Sequence, residues 1–253
     1  MSPFIVVFLV FYLYPLISTF IMSLQDIAGP GDVTFIGLKN YRNLANEQFY
    51  HALWNSSIYT VLTIAVLVPL PMLLAVLINS KATRLRNFFR SAFFLPALTS
   101  VVVAGLFFRY AFSAQETAII NRMLTALSAT PKDWLFKRGT TMFVLVLFCT
   151  WRWLGVNIIY FLSGLNAIPM EQYEAAEIDG ANSLQRFLHI TVPNLKHVTV
   201  YVVTISVYGG FAMFSESFTM FGSARSPGDI GLTIVGYIYL EGFNFARLGM
   251  GSA

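Results

Sequence analysis

Five stretches of this chain are each long and apolar enough to cross a bilayer as a helix: roughly 3–24, 55–79, 91–112, 140–163 and 195–221. A spanning helix needs about 20 mostly apolar residues. Hydrocarbon offers no water to the backbone, so only helices and closed barrels can span it. A sixth run begins near Phe245 and stops with the sequence at Ala253. The first basic residue is Lys39, so the usual basic flank of a first span is missing. Both ends therefore read as trimmed.

Composition agrees with a lipid environment. The 253 residues are 57% hydrophobic and 11% charged, against roughly 25% charged in soluble domains. The net charge of +4 reads as loop charge on one membrane face, not as a nucleic-acid footprint. Pro3 to Leu24 has no basic n-region and no small-residue cleavage site, so it is expected to stay as a span, not to be removed as a signal peptide. Prolines fall inside several spans (Pro15, Pro69, Pro71, Pro96), and kinked helices are tolerated where neighbours satisfy the freed carbonyls. No internal repeat or linker is visible, so residues 1–253 are expected to form one all-α, polytopic membrane domain.

Residues 80–90 hold Lys81, Arg84, Arg86 and Arg90 with no acid, which places that loop on the cytoplasmic side. Alternation then puts 25–54, 113–139 and 222–244 outside and 164–194 inside. Loop 113–139 runs against this rule, with Arg122, Lys132, Lys137 and Arg138 opposing only Glu116 and Asp133. Gly29-Pro30-Gly31-Asp32 is a turn signal, and Asn40 or a neighbour is expected to cap a short interfacial helix running into Trp54. Trp134, Tyr237 and Tyr239 fit an aromatic belt at headgroup depth.

Loop 164–194 is a polar island. Tyr173 to Asp179 holds good helix formers, and Gly180 can take the left-handed conformation that stops a helix. Asn182 with Gln185 is a capping box for a second helix, which ends near Pro193. Ala175 and Ala176 leave room for another protein's backbone, and Glu174 and Asp179 can pair with basic residues of a partner. A solvated acidic loop helix is the plainer alternative.

The longer pattern resembles a known family. Glu174-Ala175-Ala176, Gly180, Ile190 and Pro193 stand at the spacing of the signature of ABC-importer permeases, with Val192 in place of leucine. Asp179-Gly180-Ala181 and Phe187 narrow the resemblance to the carbohydrate-uptake branch, similar to the larger permease of maltose-type importers. Gly37-Leu38-Lys39-Asn40-Tyr41, Trp54-Asn55-Ser56, Phe88-Phe89-Arg90 and Phe93-Phe94-Leu95-Pro96 extend it over essentially the whole chain. The resemblance implies the type I importer transmembrane fold, a six-span core whose last span is cut short here, in a bacterial inner membrane. It implies that Glu174, Ala175, Ala176, Asp179, Gly180, Ala181, Ile190 and Pro193 couple the chain to an ATPase. The implied partners are a second homologous permease, two ATP-binding-cassette ATPase copies, an extracellular sugar-binding protein and lipid, with no nucleic acid. No cofactor is expected on this chain; ATP and Mg would be used by the ATPase.

No phosphate-binding glycine loop of the Gly-x-x-x-x-Gly-Lys-Ser/Thr type occurs, and the three histidines (His51, His189, His197) are scattered. No catalytic or metal-ligating cluster is legible, so an enzyme is not expected. Cys149, the single cysteine, reads as a small buried hydrophobe. Substrate contacts are expected on two segments. Arg152, Trp153 and Asn157 offer an intramembrane charge, a stacking ring and an amide for sugar edges, though an Arg152 that pairs with an acid or snorkels outward explains the charge equally well. Ser206, Gly210, Met213 and Ser217 recur at helical spacing with Glu216 beside them, which predicts one polar face; helix packing explains the glycines equally well. Position within maltose-type permeases implies that both segments line the sugar site, and the resemblance leans toward plant-derived oligosaccharides such as arabinans. The competing reading is an ion- or proton-coupled secondary transporter, which should show inverted repeats and paired broken helices.

Overall fold

The computed structural model describes residues 2–29, 32–80 and 83–253. It divides into two compact units, residues 57–211 and the pair of segments 1–56 and 212–253. Pro30 and Gly31 of the expected turn, and Lys81 of the basic loop, lie outside the described residues.

In the 57–211 unit, α7 (Arg138–Asn166) is the central helix. Its Ile158, Phe161, Leu162 and Leu165 recur at helical spacing and are buried against Met72, Ala75 and Ile78 of α3 (Glu47–Asn79) and Leu195 and Val202 near α10 (Lys196–Phe211). Two glycines set how closely the helices cross. A Cβ at Gly155 would overlap the Phe93 carbonyl of α4 (Arg86–Leu98), and one at Gly164 would meet Leu195 and Val198 at 2.7 Å. Higher on α7, the fully buried Phe148 stacks on Phe108 of α5 (Val101–Ala111) at 4.6 Å.

In the other unit, α1 (Pro3–Ser23) leads into a hairpin of β1 (Gln25–Gly29) and β2 (Asp32–Phe35), paired antiparallel with a bulge near Ala28. The hairpin is the exception to the all-α expectation. Gly37, at φ +58, turns the chain into the short α2 (Lys39–Asn43). Asn40 does not cap it. It sits inside α2 and its amide donates to the Ser23 and Gln25 carbonyls, both at 2.9 Å, while the Tyr41 and Ser23 hydroxyls pair at 2.8 Å. The end of α1 is thus tied to α2. α3 then begins at Glu47, so Trp54 belongs to the long helix and not to a separate interfacial one. Asn55 donates to the Asp229 and Leu232 carbonyls and Ser56 accepts from the Ile234 amide, which fixes the loop ahead of α12 (Ile234–Tyr239). Tyr237 is buried and accepts from the Asn46 amide, so it does not stand in an aromatic belt. Burial raises its hydroxyl pKa, and the Asn46 hydrogen bond opposes that.

Among the described residues, three helices are long and apolar enough to cross a membrane, or up to five if each of two bent pairs is one span. The run expected as one helix over 91–112 is α4 and α5, bent by 93° at Thr99 and Ser100. Pro96 removes a backbone donor, the turn tightens to a 3₁₀ form over Leu95–Leu98, and two residues with side chains that compete for the backbone follow. The fifth run is also divided. α9 (Ser183–Asn194) meets α10 at 66°, and α10 stops at Phe211 instead of reaching 221. A separate α11 spans Ser215–Phe221. The sixth helix begins as α13 at Leu248, after a π turn over Leu240–Asn244 that extends α12. α3 survives Pro69 and Pro71 as one continuous element.

The glycines yield a paired expectation. Gly155→Ala forces a methyl group onto the Phe93 backbone and should lower the thermal midpoint of the purified protein by about 5–10 °C. Gly209→Ala, which meets nothing within 4 Å, should leave the midpoint unchanged or raise it.

Candidate functional site

The polar island folds as a helical hairpin between α7 and α10. α8 (Met170–Ile178) follows Pro169, whose missing N–H costs nothing at a helix start. Its end is a Schellman motif. Gly180 takes φ +79, its N–H bonds the Glu177 carbonyl at 3.1 Å, and the Ala181 N–H reaches back to the Ala176 carbonyl at 2.8 Å. The capping box at the start of α9 is present in both directions: Asn182 Oδ1 accepts from the Gln185 N–H at 2.9 Å, and Gln185 Oε1 accepts from the Asn182 N–H at 2.8 Å. A π turn over Phe187–Thr191 ends two residues before Pro193. This widened turn eases the clash that a proline ring makes with the carbonyl four residues back.

Three side-chain bonds join the two helices across the Gly180 turn. Arg186 pairs with Glu177 at 2.8 Å, the Tyr173 hydroxyl meets that of Thr191 at 3.0 Å, and Asn194 donates to Gln172 Oε1 at 3.0 Å. The exposed ion pair contributes little, about 0–1 kcal/mol. Its geometric effect is larger, because with the other two bonds it sets the angle between α8 and α9. The sequence does not show these staples, because no regular spacing marks the partners of Gln172, Tyr173 and Glu177.

The residues expected to couple are held on this hairpin. Glu174, Ala175, Asp179, Gly180 and Pro193 are exposed, and Ala176, Ala181 and Ile190 are half-buried. Around them Ile178 is 86% exposed, Leu184 65% and Leu188 50%. Apolar side chains this open beside acidic ones make a surface of the kind that another protein covers.

The expected substrate residues fall into both units. On α7, the Arg152 guanidinium lies 5.5 Å from the Trp153 ring centroid, and Trp153 is exposed. Asn157 is buried and its amide donates to the Trp153 carbonyl at 3.1 Å, so one turn of helix holds all three. Ser206 lies half-buried on α10, and Gly210 is packed where a Cβ would overlap Thr60 of α3, which is a helix-crossing role. The single face expected for Ser206, Gly210, Met213 and Ser217 does not form, because the helix ends at Phe211 and Phe214 leaves helical geometry at φ −143, ψ −55. In the 1–56/212–253 unit Met213 is buried, Glu216 is half-buried, and Ser217 donates its hydroxyl to the Gly231 carbonyl, a structural bond.

Residues 67–244 match the family described as binding-protein-dependent transport system inner membrane component. The chain belongs to this family of multi-pass inner-membrane permeases, in which ATP hydrolysis resides in another subunit. Among its relatives is the arabinooligosaccharides transport system permease protein AraP of Bacillus subtilis (strain 168), 54% identical over 252 residues, covering 100% of this chain and 80% of that one. The permease of the same name from Halalkalibacterium halodurans is 50% identical, covering 100% of this chain and 79% of that one. The fold matches, at a TM-score of 0.85 and 23% identity, a chain in a bacterial alginate ABC transporter crystallised with its alginate pentasaccharide-bound periplasmic protein, covering 99% of this chain and 84% of that one. The expected fold, an ABC-importer transmembrane subunit, is therefore the one observed.

Losing the capping box should loosen the hairpin without unfolding the protein. Asn182→Ala should cost about 1 kcal/mol locally and speed hydrogen exchange of the 183–191 amides, with the 158–165 amides of α7 unchanged.

Proposed function

We propose that this chain is the membrane-spanning subunit of an importer for arabino-oligosaccharides, driven by ATP bound to separate ATPase subunits. The observation that carries the reading is a 54% identity, over the whole chain, to a permease named for those sugars. The exposed, stapled hairpin of α8 and α9 is where the ATPase would dock, with Glu174, Ala175, Ala176, Asp179, Gly180, Ala181, Ile190 and Pro193 forming or shaping the contact. The loop 80–90 and this hairpin then face the cytoplasm. The full assembly would pair this chain with a second homologous permease, two ATPase copies using ATP and Mg, and an external sugar-binding protein.

In this reading an external protein delivers the sugar to an outward-open core. Closure of the ATPases on ATP then moves the hairpin, and because its helices are stapled, the push passes as a rigid body into α7 and α10, to which α8 and α9 are joined. The core switches its open side and releases sugar inward. Trp153 would stack on the apolar face of a sugar ring, with Arg152 and the Ser206 hydroxyl bonding its hydroxyl edges; Glu216, in the other unit, is a separate candidate contact. Gly210, Met213 and Ser217 shape this part of the chain through packing and a backbone bond.

Uptake of labelled arabinotriose into cells tests both halves. Glu174→Lys and Gly180→Val should each cut uptake at least about tenfold and weaken co-purification of the ATPase, with the permease still in the membrane. Trp153→Ala should cut uptake while ATPase co-purification stays normal. Wild-type uptake and assembly in both hairpin variants would overturn the docking assignment. Normal uptake with maltotriose and none with arabinotriose would overturn the substrate.

A further inference from the structure

The loop 113–139 carries a helix whose exposed face has no cover within the 57–211 unit. α6 (Ile119–Ala126) presents Ile119 (49% exposed) and Met123 (61%), and the next turn adds Leu127 (79%), one large apolar residue every fourth position. Phe136, further along the loop, is 53% exposed. Arg122, Lys132, Lys137 and Arg138 are exposed beside them.

The depth of α6 is fixed by one buried residue. Asn121 donates its amide to the Ser113, Gln115 and Lys132 carbonyls (3.2, 3.2 and 3.0 Å). Its Oδ1 accepts from the Lys132 N–H and from Trp134 Nε1, both at 3.0 Å. Trp134 in turn packs edge-on against Phe112 at 5.7 Å and lies 6.4 Å from Phe143. Phe112 closes α5 and Phe143 sits near the start of α7. Asn121 therefore holds α6 level with the ends of two spans, the depth of lipid headgroups. The Lys132 ammonium is at the same level, 5.9 Å from the Trp134 ring centroid.

An apolar stripe in this position, flanked by basic side chains, has the build of a helix lying in the membrane plane. We propose that α6 and residues 132–138 bind an anionic phospholipid surface. Ile119, Met123 and Leu127 enter the boundary between headgroups and acyl chains. Arg122, Lys132 and Lys137 bond headgroup phosphates. Charge complementarity selects this occupant over another protein: the stripe is bordered by cations, and the two acids of the loop, Glu116 and Asp133, are outnumbered. The contact does not depend on which side of the membrane the loop faces. It also gives the basic residues of this loop a role separate from setting orientation.

The test uses the assembled importer in lipid nanodiscs. Met123→Cys, in a Cys149→Ser background, carries an environment-sensitive nitrobenzoxadiazole dye; Leu127→Cys repeats the measurement. Dye emission should be quenched by lipid spin-labelled near the headgroup and little by aqueous iodide. Phosphatidylglycerol should be preferred over phosphatidylcholine around the dye, and Lys132→Glu with Lys137→Glu should lower that preference roughly fivefold or more. Strong iodide quenching would overturn the proposal, since the stripe would then stand in water. Protection from both quenchers, or protection that appears only on adding the external binding protein, would overturn it in favour of a protein occupant.

Discussion

In hydrocarbon a backbone carbonyl that loses its donor has no water to turn to, and this chain places prolines in or beside most of its spans. The fold depends on how each is handled. Ahead of Pro15 and ahead of Pro193 the helix widens into a π turn, over Leu9–Leu13 and Phe187–Thr191. Side chains supply further bonds: Thr19 donates to the Pro15 carbonyl at 2.8 Å, and Asn194 to that of Ile190 at 2.8 Å. α3 continues through Pro69 and Pro71. Pro96 lies in the 3₁₀ turn that closes α4, and the path bends by 93° just after it. α1 and α3 stay single through Pro15, Pro69 and Pro71, whereas the helices that follow Pro96 and Pro193 are bent by 93° and 66°.

Close crossings do the remaining work in the 57–211 unit. Gly155 and Gly164 lie nine residues apart on α7, one against the α4 backbone and one against side chains at the head of α10. Small residues of this kind let helices approach where lipid gives no hydrophobic drive to pack. The hairpin of α8 and α9 is bonded differently, by a cap motif, a capping box and three side-chain staples, as suits a segment that carries polar groups. In the proposed importer, a hairpin joined to helices with close crossings would pass a push at one membrane face into the spans.

Much of this was legible in the sequence. Apolar run length shows where the long helices lie, and Gly180, Asn182 and Gln185 give the shape of the hairpin because helix caps are local chemistry. What was missed depended on partners far along the chain. Asn40 reads as a cap until its amide is seen bonding Ser23 and Gln25. Tyr237 reads as an interfacial aromatic until Asn46 is found beside it. The polar face over 206–217 failed because a period of 3.6 was carried through the end of α10 at Phe211, where no proline marks the stop. The β-hairpin is hidden for a related reason: its strands are short, and Gly29 to Asp32 reads as a turn with no sign of the pairing on either side.

The central claim is that the hairpin is the surface through which ATP energy enters this chain. Site-directed cross-linking measures that contact itself. With Ala175→Cys in a Cys149→Ser background, a short thiol-reactive photo-cross-linker in native membranes should join this chain to the ATPase subunit, with a yield that changes when ATP is bound. The same probe at Gly139, on the start of α7, should give no ATPase adduct. Absence of the adduct at Ala175 in membranes that transport normally would contradict the account.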